Sequence, residues 1–277
     1  MGDHYIPQFY LKAFSQNYGK RIWVYDKKNI YKIPTQVKSI ANITKFYSRE
    51  VEQYLANSIE GPANSVLKKI RNFKIINMSE KCVFSKYMAV MMKRVPEGLN
   101  QLKRLAPSIS KKLSSEISEE LRHESLESRE KQALLGKYRK ILENYSTDPP
   151  KEAWLKVLPP ETTPQVFYAF NNMIWRFLVS NSKSEFLTSD NPLFYFTSIG
   201  IGKFESEVLF PISKNIALWA TWKEHFPIGY INVKSQVVKE MNRRTASYAT
   251  RYIFNSKDED WVLPFVIKKR RKLHLYQ

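Results

Sequence analysis

The chain has 277 residues, 43% of them apolar and 14% aromatic, and its 45 Lys and Arg outnumber 26 Asp and Glu by 19. That length and apolar content suit a folded domain with a sizeable core and exclude a disordered chain. The longest uncharged run, 162–175, has 14 residues, fewer than the roughly 20 a membrane helix needs.

No basic segment followed by an apolar stretch opens the sequence, and position 6 is Ile6 rather than the Ser or Thr of a myristoylation signal. The single Cys82 excludes an internal disulfide and fits a reducing compartment. A cytoplasmic protein without a membrane partner is expected. The cationic excess favours a polyanionic partner, nucleic acid first and RNA ahead of DNA.

In chain order, RIWVYD (21–26) and IYKIP (30–34) alternate apolar and polar residues around Lys27-Lys28-Asn29, the pattern of a strand hairpin. Val51, Leu55, Ile59, Ala63, Val66, Ile70 and Phe73 form one helical stripe, which Gly61-Pro62 should kink or split. A second helix follows Ser79 and ends near Pro96. From about 100 to 160 charges alternate densely and large apolar residues thin out, predicting a helical insertion within a single domain of residues 1–277. Phe167, Phe170, Ile174, Phe177 and Leu178 predict a helix over 163–182. The last third is read as short strands, EFLT, PLFYF, EVLFPI, NIALWAT and GYINV, then a helix from Lys234, RYIFN and the basic run KKRRK at 268–272. The fold class is α+β: a mixed helical core with antiparallel strands near both ends.

Familiar catalytic signatures are missing. GIGKFES (200–206) lacks the spacing of a phosphate loop, no GxSxG occurs, and four scattered His with one Cys make no zinc site. Isolated polar residues in apolar settings remain. His4 sits among aromatic residues and could pass protons in phosphodiester cleavage, or could merely fasten the first residues to a sheet. Glu52 and Glu60, two turns apart beside an apolar stripe, could hold a metal such as Mg²⁺ or orient a cation, or lie on the surface. Arg94, at a helix end, could grip phosphate in two-pronged fashion or pair internally with one of those Glu residues. Asp190 and Asn191 in TSDNP could carry a general base or metal ligand at a strand end, or simply fold a turn.

These residues fall in an ordered set. H-Y-x-P-x-x-Y-L-x-x-F (His4, Tyr5, Pro7, Tyr10, Leu11, Phe14), W-x-Y at Trp23 and Tyr25, F-Y-S at 46–48, VEQYLANSIE at 51–60, R-x-P at Arg94 and Pro96, FLTSDNP at 186–192, FPIS at 210–213 and Asn242 together resemble the bacterial domain-of-unknown-function family DUF4238. The resemblance spans most of the chain outside about 100–160. It implies no established activity. Similar proteins appear among candidate genes for defence against bacteriophage, so a phage-encoded trigger is one implied partner. Relatives often begin with two adjacent His. Here Asp3 takes the first place, which puts any role requiring both in doubt. The resemblance implies a buried N-terminal segment that delivers His4 to a cleft.

The leading expectation is a nucleic-acid-processing effector, a nuclease acting on RNA. His4, Glu60, Arg94 and Asp190 would be catalytic, with Tyr10, Tyr47, Asn191, Lys268, Arg270 and Arg271 binding substrate. Glu52, Glu60 and Asp190 would hold any metal. The alternatives are a non-enzymatic sensor of nucleic acid or phage protein, and an enzyme on a nucleotide or other small phosphorylated metabolite.

Overall fold

The computed structural model describes residues 3–16, 19–181 and 183–267. A two-residue strand β1 (Asp3–His4) leads into the short helix α1 (Gln8–Leu11), followed by the hairpin β2 (Arg21–Asp26) and β3 (Tyr31–Gln36) and the strand β4 (Asn42–Ile43). Helices α2 (Arg49–Tyr54), α3 (Gly61–Arg71) and α4 (Met78–Arg94) come next. Then follow α5 (Pro96–His123), α6 (Ser128–Thr147), α7 (Lys151–Lys156) and α8 (Pro164–Asn172). The remainder is β5 (Ile174–Ser180), β6 (Thr188–Ser189), β7 (Phe194–Tyr195), β8 (Glu207–Ser213), β9 (Ile216–Thr221), β10 (Gly229–Val233), α9 (Ser235–Tyr248), β11 (Tyr252–Asn255) and α10 (Val262–Ile267). The fold is α+β.

The main sheet runs β10-β5-β9-β8-β7, a second runs β3-β2-β11-β6, and β1 pairs antiparallel with β4. All pairings are antiparallel among the described strands except β10 with β5. Side chains of β5, β8 and β9 are almost all buried, because helices cover both faces of the main sheet. Phe177, Val208 and Phe210 share a core with Phe84, Tyr87 and Met88 of α4. Leu178, Leu209 and Trp219, one residue out of phase, pack with Val238 and Met241 of α9 on the opposite face. Tyr10 and Phe84 both contact the ring of Phe210, at 5.3 and 5.8 Å between centroids. Burial of each such ring contributes about 2–3 kcal/mol.

One helix expectation fails. The residues read as a single helix over 163–182 form α8 and then β5. Ile174, Trp175, Phe177, Leu178 and Val179 satisfy a helical stripe, yet they also make a continuous β-branched and aromatic run. A strand covered on both faces takes such a run.

The break expected at Gly61-Pro62 is softer than a kink. Residues Leu55–Glu60 form a π-helical turn, closed by the Gly61 N–H bonding to the Ala56 carbonyl five residues back. The wider register carries the chain into Pro62, which has no N–H, without breaking the helix. At the far end of α4, Gly98 is obligatory: a Cβ there would lie 1.9 Å from the Lys93 carbonyl oxygen. Only glycine lets α5 turn so closely off α4.

The 100–160 region is helical as expected. Within it α5 and α6 pair as a long antiparallel hairpin, with Gly98, Ala106 and Ser110 buried on α5 and no residue of α6 buried. No helix among the described residues is long and apolar enough to cross a membrane.

Candidate functional site

The first residues are not loose. Besides its pairing with β4, Asp3 accepts a hydrogen bond from the Tyr47 backbone N–H at 2.9 Å, and the Tyr5 N–H bonds to the Ala41 carbonyl. Ala41 and Lys45, which flank β4, hold positive φ angles of 52° and 54°. Non-glycine residues adopt that region rarely and at some strain. Asp3 is therefore a fastening group.

Between this ribbon and α2 lies a pocket of about 250 Å³, lined by His4, Gln8, Phe9, Tyr47, Glu52, Leu55, Ala56, Glu60 and Arg94, with Pro7 at its edge. Its floor is the π-helical turn. Underwinding there offsets the rotation that eight α-helical residues would place between Glu52 and Glu60, and both carboxylates face the same hollow. Single π-turns concentrate at functional sites.

Arg94 organises the pocket from behind. Its side chain is 3% exposed; Nη1 donates to Glu60 Oε1 at 2.5 Å and Nη2 to the His4 backbone carbonyl at 2.6 Å. The guanidinium carbon stands 5.6 Å from the centre of the Tyr47 ring. The Tyr47 hydroxyl donates to the Arg94 carbonyl at 3.0 Å. Burial alone would push the guanidinium to lose its proton, but Tyr47 and Glu60 outweigh that and raise its pKa above the usual arginine value. Arg94 Nε is buried and meets no acceptor. The guanidinium thus locks β1 to the helical floor. That is the internal pairing with a Glu, and the phosphate grip expected of Arg94 does not fit a cation already engaged on two sides.

His4 is half-buried, and its Nε2 lies 3.1 Å from the Lys38 carbonyl oxygen. A carbonyl only accepts, so Nε2 carries the hydrogen in the neutral ring and Nδ1 keeps its lone pair. That is the arrangement a proton acceptor needs. Glu52 is exposed at the rim, and Lys38, Lys45 and Arg49, all exposed, belong to the segment that pairs with β1 or starts α2.

The other expected site residues lie elsewhere. Asp190 is absent from the pocket wall; its Oδ1 accepts from the Thr250 N–H and its Oδ2 from those of Arg251 and Tyr252, at 2.8 to 3.0 Å. Burial raises its carboxyl to about 6 against the pull of those three N–H groups. It ties the chain between β6 and β7 to the start of β11, a structural role. Asn191 is buried and donates to the Tyr248 carbonyl. Tyr10 is fully buried, donating to the Pro211 carbonyl while bonded to Thr188 Oγ1, both at 2.8 Å. Neither is open to substrate. Tyr47 lines the pocket with its ring, and Lys268, Arg270 and Arg271 lie outside the described residues. Among the described residues, no group of three His, Cys, Asp or Glu side chains could hold a metal ion.

The ordered motifs of the sequence meet physically. Tyr10 touches Thr188 of FLTSDNP and Pro211 of FPIS. Asn242 bonds the Leu187 N–H and the Glu185 carbonyl. A family model described as a protein of unknown function (DUF4238) matches residues 3–259. The chain belongs to that family. No curated protein and no solved structure matches it.

Sequence reasoning missed a buried ion pair on the opposite face of the main sheet. Glu207 and Arg244 are both inaccessible, 2.7 Å apart, and Trp219 Nε1 donates to the same carboxylate. Nearby, Arg176 is also inaccessible and donates to the carbonyls of Lys223, Phe226 and Pro227. Glu207 in the strand EVLFPI and Arg176 in the strand IWRFLVS carry the signal in hindsight: a charge inside an otherwise apolar strand needs a buried partner.

Proposed function

We propose that the chain is an RNA-processing enzyme whose acid–base centre is the His4 pocket, and that it works without a bound metal. The observation that carries this reading is the fixed His4 imidazole, with Nε2 held by a carbonyl and Nδ1 available, in a pocket about the size of one nucleotide fragment. Nδ1 takes the proton of a ribose 2′-hydroxyl as its oxygen attacks the adjacent phosphorus. The departing 5′-oxygen takes a proton from solvent at the Glu52 rim, leaving a cyclic phosphate. Glu60 adds little repulsion, since Arg94 neutralises it. The cations Lys38, Lys45 and Arg49, within an overall excess of 19 positive charges, draw the polyanion to the rim.

Defence against bacteriophage is the biological setting proposed, with a phage component as trigger. It is supported only by the sequence resemblance.

The test is incubation of purified protein with tRNA, total RNA, phage DNA and free nucleotides, with and without chelator. The reading expects chelator-resistant RNA cleavage that His4→Gln reduces by about 10²-fold or more. Intact RNA with wild type would overturn it. Salt-sensitive binding without turnover would replace it by the non-enzymatic binder. That alternative draws support from Tyr10, Asp190 and Asn191 serving as ties rather than reactive groups.

A further inference from the structure

A pocket of about 640 Å³ lies between α9, α10 and the chain that enters β6, and it shares no residue with the His4 pocket. That volume is in the range of small-molecule sites. Its walls are fastened by buried side chains that the proposed chemistry leaves unused. Asn242 Nδ2 donates to the Glu185 carbonyl at 2.9 Å, and Oδ1 accepts from the Leu187 N–H at 2.8 Å. Tyr25 secures the facing loop: its hydroxyl donates to the Lys257 carbonyl and accepts from the Glu259 N–H.

Two lysines meet at one end. Asn242 holds residues 185–187, while Asn191 bonds the Tyr248 carbonyl further along α9. The chain over 183–191 therefore runs alongside α9 in the same direction. That brings Lys183 level with Lys239, which stands one turn before Asn242. Both lysines line the pocket, both are exposed, and neither has an ion-pair partner among the described residues. Together they match the charge of roughly −2 on a phosphate monoester at pH 7.

Aromatic surface forms another wall. Trp261 is 40% exposed, and its Nε1 donates to Glu259 Oε2 at 3.0 Å, which fixes the indole at the rim. The Phe265 ring stands 5.4 Å away at 83° to it. Fixed flat faces of this kind suit a planar ring.

The carboxylates decide what that ring carries. Glu185 is saturated: Ser256 Oγ donates to one oxygen, and the Lys257 and Lys214 ammonium groups stand 3.1 and 3.5 Å from the other. Glu259 Oε1 accepts no hydrogen bond among the described residues, so it is open to a ligand N–H. An aliphatic acid would suit the lysines and the apolar walls but would leave Glu259 facing carbon.

We propose that this pocket binds a mononucleotide, with an amino-bearing base against Trp261 and Phe265, an N–H of that base toward Glu259, and the phosphate between Lys183 and Lys239. No residue of the acid–base centre takes part, so this site and the proposed activity stand or fall separately.

The experiment is isothermal titration of the full chain with AMP, adenosine, inorganic phosphate and dodecanoate. AMP should bind one per chain with a dissociation constant below about 1 mM. Adenosine should bind about 10-fold more weakly, and phosphate and dodecanoate more weakly than AMP. Lys183→Ala combined with Lys239→Ala should reduce AMP to the affinity of adenosine. Trp261→Ala should weaken both nucleoside ligands by about 10-fold or more, and His4→Gln should change neither. These three side chains are exposed, so thermal melts of the variants should match wild type. No saturation by AMP, an AMP affinity that survives either the lysine or the tryptophan substitution, or its loss in His4→Gln overturns the inference. Adenosine, phosphate or dodecanoate binding as tightly as AMP overturns it too.

Discussion

Arg94 and His4 are joined through the backbone rather than through their side chains: Nη2 of the arginine donates to the His4 carbonyl oxygen at 2.6 Å, while Nη1 of the same group holds Glu60. One buried cation thereby sets the depth at which the first imidazole enters the pocket. Its role is positioning.

Arg94→Ala should lower stability by about 3 kcal/mol, since removing one member of a largely buried pair leaves the other uncompensated. Arg94→Lys keeps the charge but cannot serve Glu60 and the His4 carbonyl from one planar fork. It should recover part of the melting temperature while leaving RNA cleavage impaired. Full recovery of both by Lys would show that the fork geometry is immaterial.

Tyr10→Phe should cost about 1–3 kcal/mol. The substitution keeps the ring against Phe14 and Phe210 but strips the Pro211 carbonyl and the Thr188 hydroxyl of their partner in a dry core. Denaturant unfolding at constant m-value reads this directly, and an unchanged midpoint would contradict the packing described for the N-terminal hallmark.

Asp190 yields a pH prediction. Its carboxyl is raised from 3.8 to about 6 by burial, so the folded chain binds its proton more tightly than the unfolded chain does. The stabilisation is complete below about 4 and is lost as pH rises to about 6, by about 3 kcal/mol. Asp190→Asn removes that slope. It also places an amide NH₂ against backbone donors that now point at oxygen, so the variant should be less stable at pH 7 by about 2 kcal/mol. Parallel pH–stability curves for wild type and Asp190→Asn between 4 and 6 would refute the burial argument.

Gly98→Ala should be among the most damaging single changes. The new methyl would fall within 2 Å of the Lys93 carbonyl oxygen, and the carbonyl carbon and Cα of Lys93, also within 3 Å, are backbone atoms that cannot swing away. A melting temperature within a degree of wild type would mean that α5 leaves α4 by another path.

Much of this fold was legible because its segments obey local rules. The β2–β3 hairpin, α4 and the strands β8 to β10 follow periodicity and turn chemistry, and the interrupted stripe at Gly61-Pro62 marks the π-turn. The stretch 174–180 was misread because a continuous apolar run satisfies both periods, and only the helices on both faces of the sheet decide between them. At the candidate site, His4, Glu52, Glu60, Tyr47 and Arg94 line one pocket. Asp190 does not, because its oxygens find backbone partners 60 residues later in the chain, a pairing no spacing rule reveals. Glu207 and Arg244, 37 residues apart, escaped for the same reason.

The most direct measurement is cleavage of a defined RNA in chelator by wild type, Glu52→Gln and His4→Gln at matched melting temperatures. Wild type should generate cyclic-phosphate ends, Glu52→Gln should retain part of that rate, and His4→Gln should lose about 10²-fold or more. Equal cleavage by wild type and His4→Gln, or none by either, would contradict a reactive imidazole in this pocket.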